Sequence, residues 1–100
     1  MTDFRLTPRA LRDLDAIADY TMATWGERQT EKYITELQER FRWLAQRPKV
    51  GRLRTEVREG FRSYPHGAHV IFYVIIGADI AIIGVPHGAM DVEAYFERAD

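Results

Sequence analysis

The stretch AHVIFYVIIGADIAIIGV, residues 68–85, decides the fold of this chain. It predicts two β-strands, Ala68–Ile76 and Ile80–Val85, joined by a turn at Gly77–Asp79. Valine, isoleucine, phenylalanine and tyrosine dominate both strands, as is typical of a pleated sheet. An alternation of apolar and polar residues would indicate a strand with one solvent-exposed face, and neither strand shows it. We therefore expect both faces of this hairpin to be covered.

The residues before the hairpin predict two helices that supply one of these covers. Thr7 as N-cap and Pro8 at the first helical position start the first helix, and Gly26 stops it. Its predicted apolar stripe comprises Leu11, Leu14, Ala18, Met22 and Trp25, with Ile17 beside them. The second helix is predicted from about Glu27 to Gln46, ahead of Pro48. Its stripe comprises Tyr33, Ile34, Leu37, Phe41 and Leu44.

The remaining segments complete an α+β fold. We expect a short strand around Phe4 and Leu6, irregular or turn structure over Lys49–Glu59, a short strand over Phe61–Tyr64, a turn at Pro65–Gly67, a loop at Pro86–Ala89, and a helical turn or loose tail over Asp91–Arg98. The predicted order is β-α-α-β-β-β, with an N-terminal strand and a helical hairpin packed on a small, mainly antiparallel sheet. The 100 residues are expected to form one domain.

The second face of the predicted sheet has little of the chain left to cover it. The helix stripes cover one face, and Val92, Tyr95 and Phe96 remain for the other. The face assigned to them carries Ile71, Tyr73, Ile75, Ile83 and Val85. We therefore expect a second polypeptide to complete part of the apolar surface. Strong curvature of the sheet, which would close the core alone, stays open as the alternative.

Composition excludes several classes of protein and site. The chain has no cysteine, so a disulfide framework, a thiol nucleophile and a zinc–thiolate site are excluded. We expect neither metal nor cofactor, because His66-x-x-His69 alone is a poor ligand set. The N-terminus carries no secretory signal, and no apolar run approaches the ~20 residues that span a bilayer. These features fit a cytoplasmic protein without a membrane anchor.

The formal net charge of −1 conceals a strongly basic segment. Residues 40–62 contain eight basic and two acidic residues, a net charge of +6, which leaves −7 for the rest. This asymmetry indicates an anionic partner, either a nucleic acid or an acidic protein. A solvated, arginine-rich loop without a partner is the alternative.

Several short motifs, in their order and spacing, resemble the RelE/ParE family of bacterial toxins. They are Thr7-Pro8-Arg9-Ala10, Tyr64-Pro65, His69-Val70-Ile71-Phe72-Tyr73 and Gly84-Val85-Pro86-His87-Gly88-Ala89-Met90-Asp91. The resemblance covers nearly the whole chain. His87-Gly88, followed by Asp91 and the aromatic Phe96, is most similar to the ParE branch. Such proteins commonly carry an arginine near the end of the last strand, whereas this chain has no basic residue but His87 there.

The resemblance implies the toxin of a type II toxin–antitoxin system. ParE-like toxins are associated with poisoning of DNA gyrase through protein–protein contact, without covalent chemistry of their own. A ParD-like antitoxin with a DNA-binding domain would wrap the toxin, so that DNA is met only indirectly. The residues that we expect to contact partners are Arg52, Arg54, Arg58, Arg62, Tyr73, His87, Tyr95 and Phe96.

The RelE branch suggests a ribosome-dependent mRNA endoribonuclease as the alternative function. That reaction needs a general base, a general acid and cations near the scissile phosphate. The residues suited to these roles are His87, Arg62 and Tyr95, because histidine exchanges protons near neutral pH. His66 is expected to be a solvated histidine beside its turn, and His69 a hydrogen-bonded residue at the edge of the sheet. A module that only binds its antitoxin is a third interpretation.

Overall fold

The computed structural model describes residues 3–97, and eight elements follow one another in this range. They are β1 (Phe4–Leu6), α1 (Pro8–Trp25), α2 (Glu27–Gln46), β2 (Arg52–Leu53), β3 (Arg62–His66), β4 (His69–Ile76), β5 (Asp79–Gly84) and α3 (Val92–Glu97). Arg98, the end of the predicted C-terminal segment, lies outside the described residues. No helix within the described range is both long enough and apolar enough to cross a membrane.

The strands form one sheet in the order β1-β5-β4-β3-β2. β1 pairs with β5 in parallel, and every other pair is antiparallel. The predicted α+β architecture is therefore confirmed. Of the two forms expected for the C-terminal segment, a helical turn or a loose tail, the structure has the helix. The connector differs from the prediction, because Arg52 and Leu53 pair with Ser63 and Arg62 and extend the sheet by one short edge strand.

Local signals explain the helix ends. The Thr7 side chain accepts a hydrogen bond from the Ala10 N–H, at 3.2 Å, and Pro8 occupies the first turn. Gly26 has φ +88°, a conformation that favours glycine, and its N–H donates to the Met22 carbonyl at 3.1 Å. The Gly26 carbonyl then accepts the Thr30 N–H, also at 3.1 Å. One glycine thus ends α1 and begins α2, so the helices fold back on each other as predicted.

The α1 stripe predicted from the sequence is right only in part: Leu14 packs against the core, but the buried side of the helix is displaced from the rest of the stripe. Ala10, Ile17 and Thr21 are buried, and each stands one position before a member of the predicted stripe, Leu11, Ala18 and Met22. Leu11 and Met22 are about half exposed, and Trp25 is 69% exposed. The small Ala10 and Thr21 let α1 approach the sheet closely, which turns the larger apolar side chains towards solvent. The predicted α2 stripe is confirmed, with Leu37, Phe41 and Leu44 fully buried.

The assignment of sheet faces is also wrong in part. Ile71 and Tyr73 are fully buried in the helix-covered core instead of on the outer face. Val85 joins them because of a β-bulge: Phe72 lies opposite Gly84 and Tyr73 opposite Ile82, which leaves Ile83 unopposed. One extra residue reverses the alternation of faces, so Val85 points to the same side as Ile82.

The outer face is covered partly by the chain itself. Phe72 is fully buried there, with its ring centroid 5.1 Å from that of Phe96 in α3. Phe96 also packs edge-on against Phe61, again at 5.1 Å. Ile76, at the end of β4, remains 45% exposed. The docking predicted for Phe96 is confirmed, and the larger unpartnered apolar surface belongs to α1.

Candidate partner-binding groove

A groove with a volume of about 670 Å³ runs between α1 and one end of the sheet. α1 forms one wall, the first turns of α2 close one end, and the floor comes from the residues around the ends of β4 and β5. The lining residues are Asp13, Ala16, Ile17, Tyr20, Thr21, Trp25, Gln29, Tyr33, Ala68, His69, Val85, Pro86, His87, Met90 and Tyr95. A groove of this size with a mostly apolar lining suits an apolar side of a helix or a short peptide.

The rim of the groove carries large exposed side chains. Tyr20 and Trp25 are each 69% exposed, and Met90 is 39% exposed. Tryptophan and tyrosine are the residues most often responsible for binding energy at protein interfaces. Exposed apolar surface that borders a groove is typical of a site that another molecule covers.

Two histidines and a tyrosine form the polar part of the floor. His69 and His87 make an isolated β-bridge, and their rings lie 5.6 Å apart between centroids. The Tyr33 hydroxyl donates to the His66 carbonyl at 3.1 Å and lies 2.8 Å from Nδ1 of His69. Burial lowers the pKa of His69, His87 lowers it further, and Asp13 opposes the shift. Burial therefore favours the neutral form of His69 on the floor, which suits an apolar occupant.

A hydrogen-bonded latch attaches the C-terminal helix to the groove wall. The Tyr95 hydroxyl donates to Oδ2 of Asp13 in α1, and the same oxygen accepts the Val85 N–H at 2.8 Å. Burial and then the Asp13 carboxylate raise the pKa of Tyr95, which keeps its proton on the hydroxyl. The Arg9 guanidinium lies 5.0 Å from the Tyr95 ring and 5.2 Å from the Phe96 ring, and donates to the Tyr95 carbonyl.

The structure does not bring the residues of the ribonuclease hypothesis together. Arg62 begins β3, whereas His87 lies beside His69, at the far end of the β3–β4 hairpin. Four residues of strand, roughly 13 Å, separate these positions. Tyr95 is held by Asp13. Within residues 3–97 no group of three histidine or acidic side chains is placed to hold a metal ion.

The basic side chains predicted to bind a partner differ in their exposure and in the bonds that they form within the chain. Arg52 and Arg58 are exposed. Arg54 is half-buried and bonds to Glu56 at 2.6 Å and to the Ser63 hydroxyl at 3.1 Å. The guanidinium of Arg54 also lies over the Phe72 ring, at 5.2 Å. Arg54 is therefore already engaged on the outer face of the sheet.

Two other predicted contact residues hold the connector in place. The fully buried Tyr73 donates to the Pro48 carbonyl and accepts the Gly51 N–H, each at 2.9 Å. Arg62 donates to the carbonyls of Gly51 at 2.9 Å and Lys49 at 3.2 Å. Tyr73 is out of reach of any partner, so its role in this structure is to fix the path of the chain after α2.

Sequence reasoning missed the groove itself. Tyr20 lies off every predicted stripe, and nothing in the sequence relates Asp13 to Tyr95, which are 82 positions apart. Three tyrosines each cover a glycine that has no space for a Cβ atom: Tyr73 on Gly51, Tyr33 on Gly67 and Tyr95 on Gly84. The sequence did carry one signal of these contacts: a glycine within or beside a strand often marks a site where another group approaches the backbone closely.

A helical hairpin on a mainly antiparallel five-stranded sheet is the α+β fold of the RelE/ParE type. The family model described as "ParE toxin of type II toxin-antitoxin system, parDE" matches residues 4–92. The chain belongs to this ParE toxin family.

Named relatives agree with this assignment, and two solved structures share the fold. Toxin ParE1 of Caulobacter vibrioides is 37% identical over 95 residues, 95% of this chain and 98% of the relative. Toxin ParE1 of Mycobacterium tuberculosis is 37% identical over 91 residues, 90% of this chain and 93% of the relative. A chain of the chromosomal ParDE system from P. aeruginosa shares the fold, with a TM-score of 0.73 at 24% identity over 87% of this chain and 96% of its own length. A chain of the toxin–antitoxin complex RelBE2 from M. tuberculosis has a TM-score of 0.58 at 26% identity. The match covers 85% of this chain and 95% of that chain.

Proposed function

We propose that this protein is a toxin that a ParD-like antitoxin neutralises by filling the groove. The groove supports this proposal, because its wall and rim expose Tyr20 and Trp25 while burial favours the neutral form of His69 on its floor. An amphipathic helix of the antitoxin would lay its apolar side between α1 and the floor. His87 and Tyr95, which line the groove, are the predicted contact residues that such a segment would meet.

Beyond the groove, acidic residues of the antitoxin would bind the basic side chains between α2 and β3. Arg52 and Arg58 are exposed and available for carboxylates, whereas Arg54 and Arg62 would contribute through the edges of guanidinium groups that already bond within the chain. The antitoxin segment would contact Phe96 where it crosses α3. Because exposed charges act mainly on the association rate, higher salt should slow binding of the antitoxin more than it speeds release.

We further propose that the free toxin inhibits DNA gyrase by direct contact, in the cytoplasm. The observation that carries this proposal is membership of the ParE family over residues 4–92. The dispersal of His87, Arg62 and Tyr95 supports a mechanism without a ribonuclease site of its own. Contact with DNA would then be indirect, through the antitoxin.

Gyrase assays with the purified protein test this function. Relaxed plasmid, gyrase and ATP are incubated with increasing toxin, and supercoiled product and cleaved plasmid are measured on gels. We expect supercoiling to fall and cleavage complexes to accumulate. Unchanged supercoiling and cleavage would contradict the proposal. Fragmentation of mRNA in a translation extract, with gyrase unaffected, would instead favour the endoribonuclease.

A further inference from the structure

We propose that a ladder of stacked arginine and aromatic side chains on α2, its C-cap residue and β3 binds an acidic surface of the target protein. The ladder consists of Arg47, Trp43, Arg40 and Tyr64 and lies apart from the groove. This inference rests on the proposed function, because it names the surface that a gyrase-inhibiting toxin would use.

The ladder is a continuous stack of cations and rings. The guanidinium of Arg47 lies 4.8 Å from the ring centroid of Trp43, and the guanidinium of Arg40 lies 4.7 Å from the same centroid. Arg40 also lies 5.2 Å from the Tyr64 ring, and the rings of Trp43 and Tyr64 are 5.3 Å apart. Stacking restrains the guanidinium planes, so less side-chain freedom is lost when an anion binds.

Within residues 3–97, neither Arg40 nor Arg47 forms an ion pair with a carboxylate of the chain. Eight basic residues lie between positions 40 and 62. In the described part of the chain, Arg54 has a carboxylate within 4.0 Å, that of Glu56, and the other seven have none. The Nε of Arg40 is buried and, within residues 3–97, bonds to no acceptor. A partner that supplies carboxylates would therefore find cations that need not be released from internal ion pairs.

Location separates the ladder from the groove. Tyr33, a groove residue of α2, lies 10 residues before Trp43, at the centre of the ladder. At 1.5 Å per residue this is roughly 15 Å along the helix axis. The ladder is therefore centred away from the groove, although Tyr33 also borders the recess that holds Arg40 and Trp43.

The surroundings of the ladder favour a protein over DNA. Glu36 and Glu39 share a recess with Arg40 and would repel a continuous phosphate backbone, whereas a protein can space its carboxylates so that they meet Arg40 and Arg47 and avoid the two glutamates. Val50, which is 46% exposed, is joined to Arg47 by a backbone hydrogen bond of 3.0 Å and adds apolar contact. Tryptophan, tyrosine and arginine are also the residues enriched in protein hot spots.

The test compares two double variants in the gyrase assay. Arg40→Gln with Arg47→Gln removes two ladder cations, and Arg28→Gln with Lys32→Gln removes two exposed cations from the N-terminal half of the same helix. We expect the first pair to raise the half-inhibitory toxin concentration at least about tenfold and the control pair to change it less than about twofold. Thermal unfolding of each variant is followed by circular dichroism.

Each outcome decides the proposal. If Arg40→Gln unfolds the protein, Arg47→Glu alone, at an exposed position, takes its place with the same expectation. Full inhibition by a folded ladder variant would overturn the proposal while leaving gyrase as the target. A matching loss of affinity for a 30-base-pair duplex without gyrase would assign the ladder to DNA instead. Gyrase unaffected by the wild-type protein would remove both the target and this surface.

Discussion

The hydroxyl of Tyr95 and the carboxylate of Asp13 are hydrogen-bonded across 82 positions of sequence, and this contact holds the last helix against the first. Because the Asp13 oxygen also accepts the Val85 N–H, one carboxylate ties together α1, the end of β5 and α3. The C-terminal segment is thus part of the groove wall, and Phe96, the neighbour of Tyr95, covers Phe72 on the opposite face of the sheet.

Tyr95→Phe should loosen α3. The substitution removes the donor to Asp13, and the loss of a hydrogen bond to a charged group costs about 1.5–3 kcal/mol. For a domain of this size each 1 kcal/mol lowers the unfolding midpoint by roughly 4–8 °C. Calorimetry gives the midpoint, and hydrogen exchange of the Phe96 amide shows whether α3 opens first. Tyr20→Phe, at an exposed tyrosine, is the matched control and should leave both unchanged.

Gly51→Ala should be destabilising because of the Tyr73 side chain. A Cβ atom at position 51 would overlap the Tyr73 hydroxyl and approach its ring to 2.8 Å, while that hydroxyl is held by Pro48 and Gly51. We expect a loss of more than about 2 kcal/mol in urea unfolding. In the double variant with Tyr73→Phe the added cost of the alanine should shrink. Gly88→Ala, where the nearest atom is 3.4 Å away, is the control. Equal costs at the two glycines would contradict this account.

The sequence predicted those features that depend on neighbours in the chain. Thr7, Pro8 and Gly26 mark helix ends because capping is local, and the apolar run after Ala68 predicted the hairpin. The α1 packing side was wrong by one position, since close approach of α1 depends on the small side chains of Ala10 and Thr21 as well as on hydrophobicity.

Features that join distant segments could not be predicted. The bulge at Ile83 exchanges the faces of the residues that follow it, and only the register against Phe72 reveals it. The groove depends on Tyr20 and on the contact of Asp13 with Tyr95, neither of which has a local signature. The predicted roles of Arg52 and Arg58 in partner binding remain predictions.

Stability should fall as the pH falls below the ordinary histidine range. Burial lowers the pKa of His69 from 6.5, with a further contribution from His87, and burial also lowers the pKa of His66. The unfolded state therefore binds protons first, so the stabilisation is complete above about pH 6.5 and is lost as the pH drops from there towards the folded-state pKa values. Urea unfolding between pH 7.5 and 5 measures the slope. His69→Gln should reduce this slope, and a slope equal to that of the wild type would mean that other groups cause it.

Trp25→Ala should separate binding from folding. Trp25 is 69% exposed, so its removal should change the free energy of unfolding by no more than about 0.5 kcal/mol. If an antitoxin fills the groove, the same change removes a large aromatic contact from the rim, and affinity should fall by roughly thirtyfold or more. The antitoxin used is the product of the neighbouring reading frame, and its affinity is measured by calorimetric titration. Leu53→Ala, which removes a half-exposed apolar side chain at the far edge of the sheet, should leave the affinity unchanged. Loss of affinity at position 53 but not at position 25 would place the antitoxin on the β2 edge, because an added strand would contact Leu53 and leave α1 exposed.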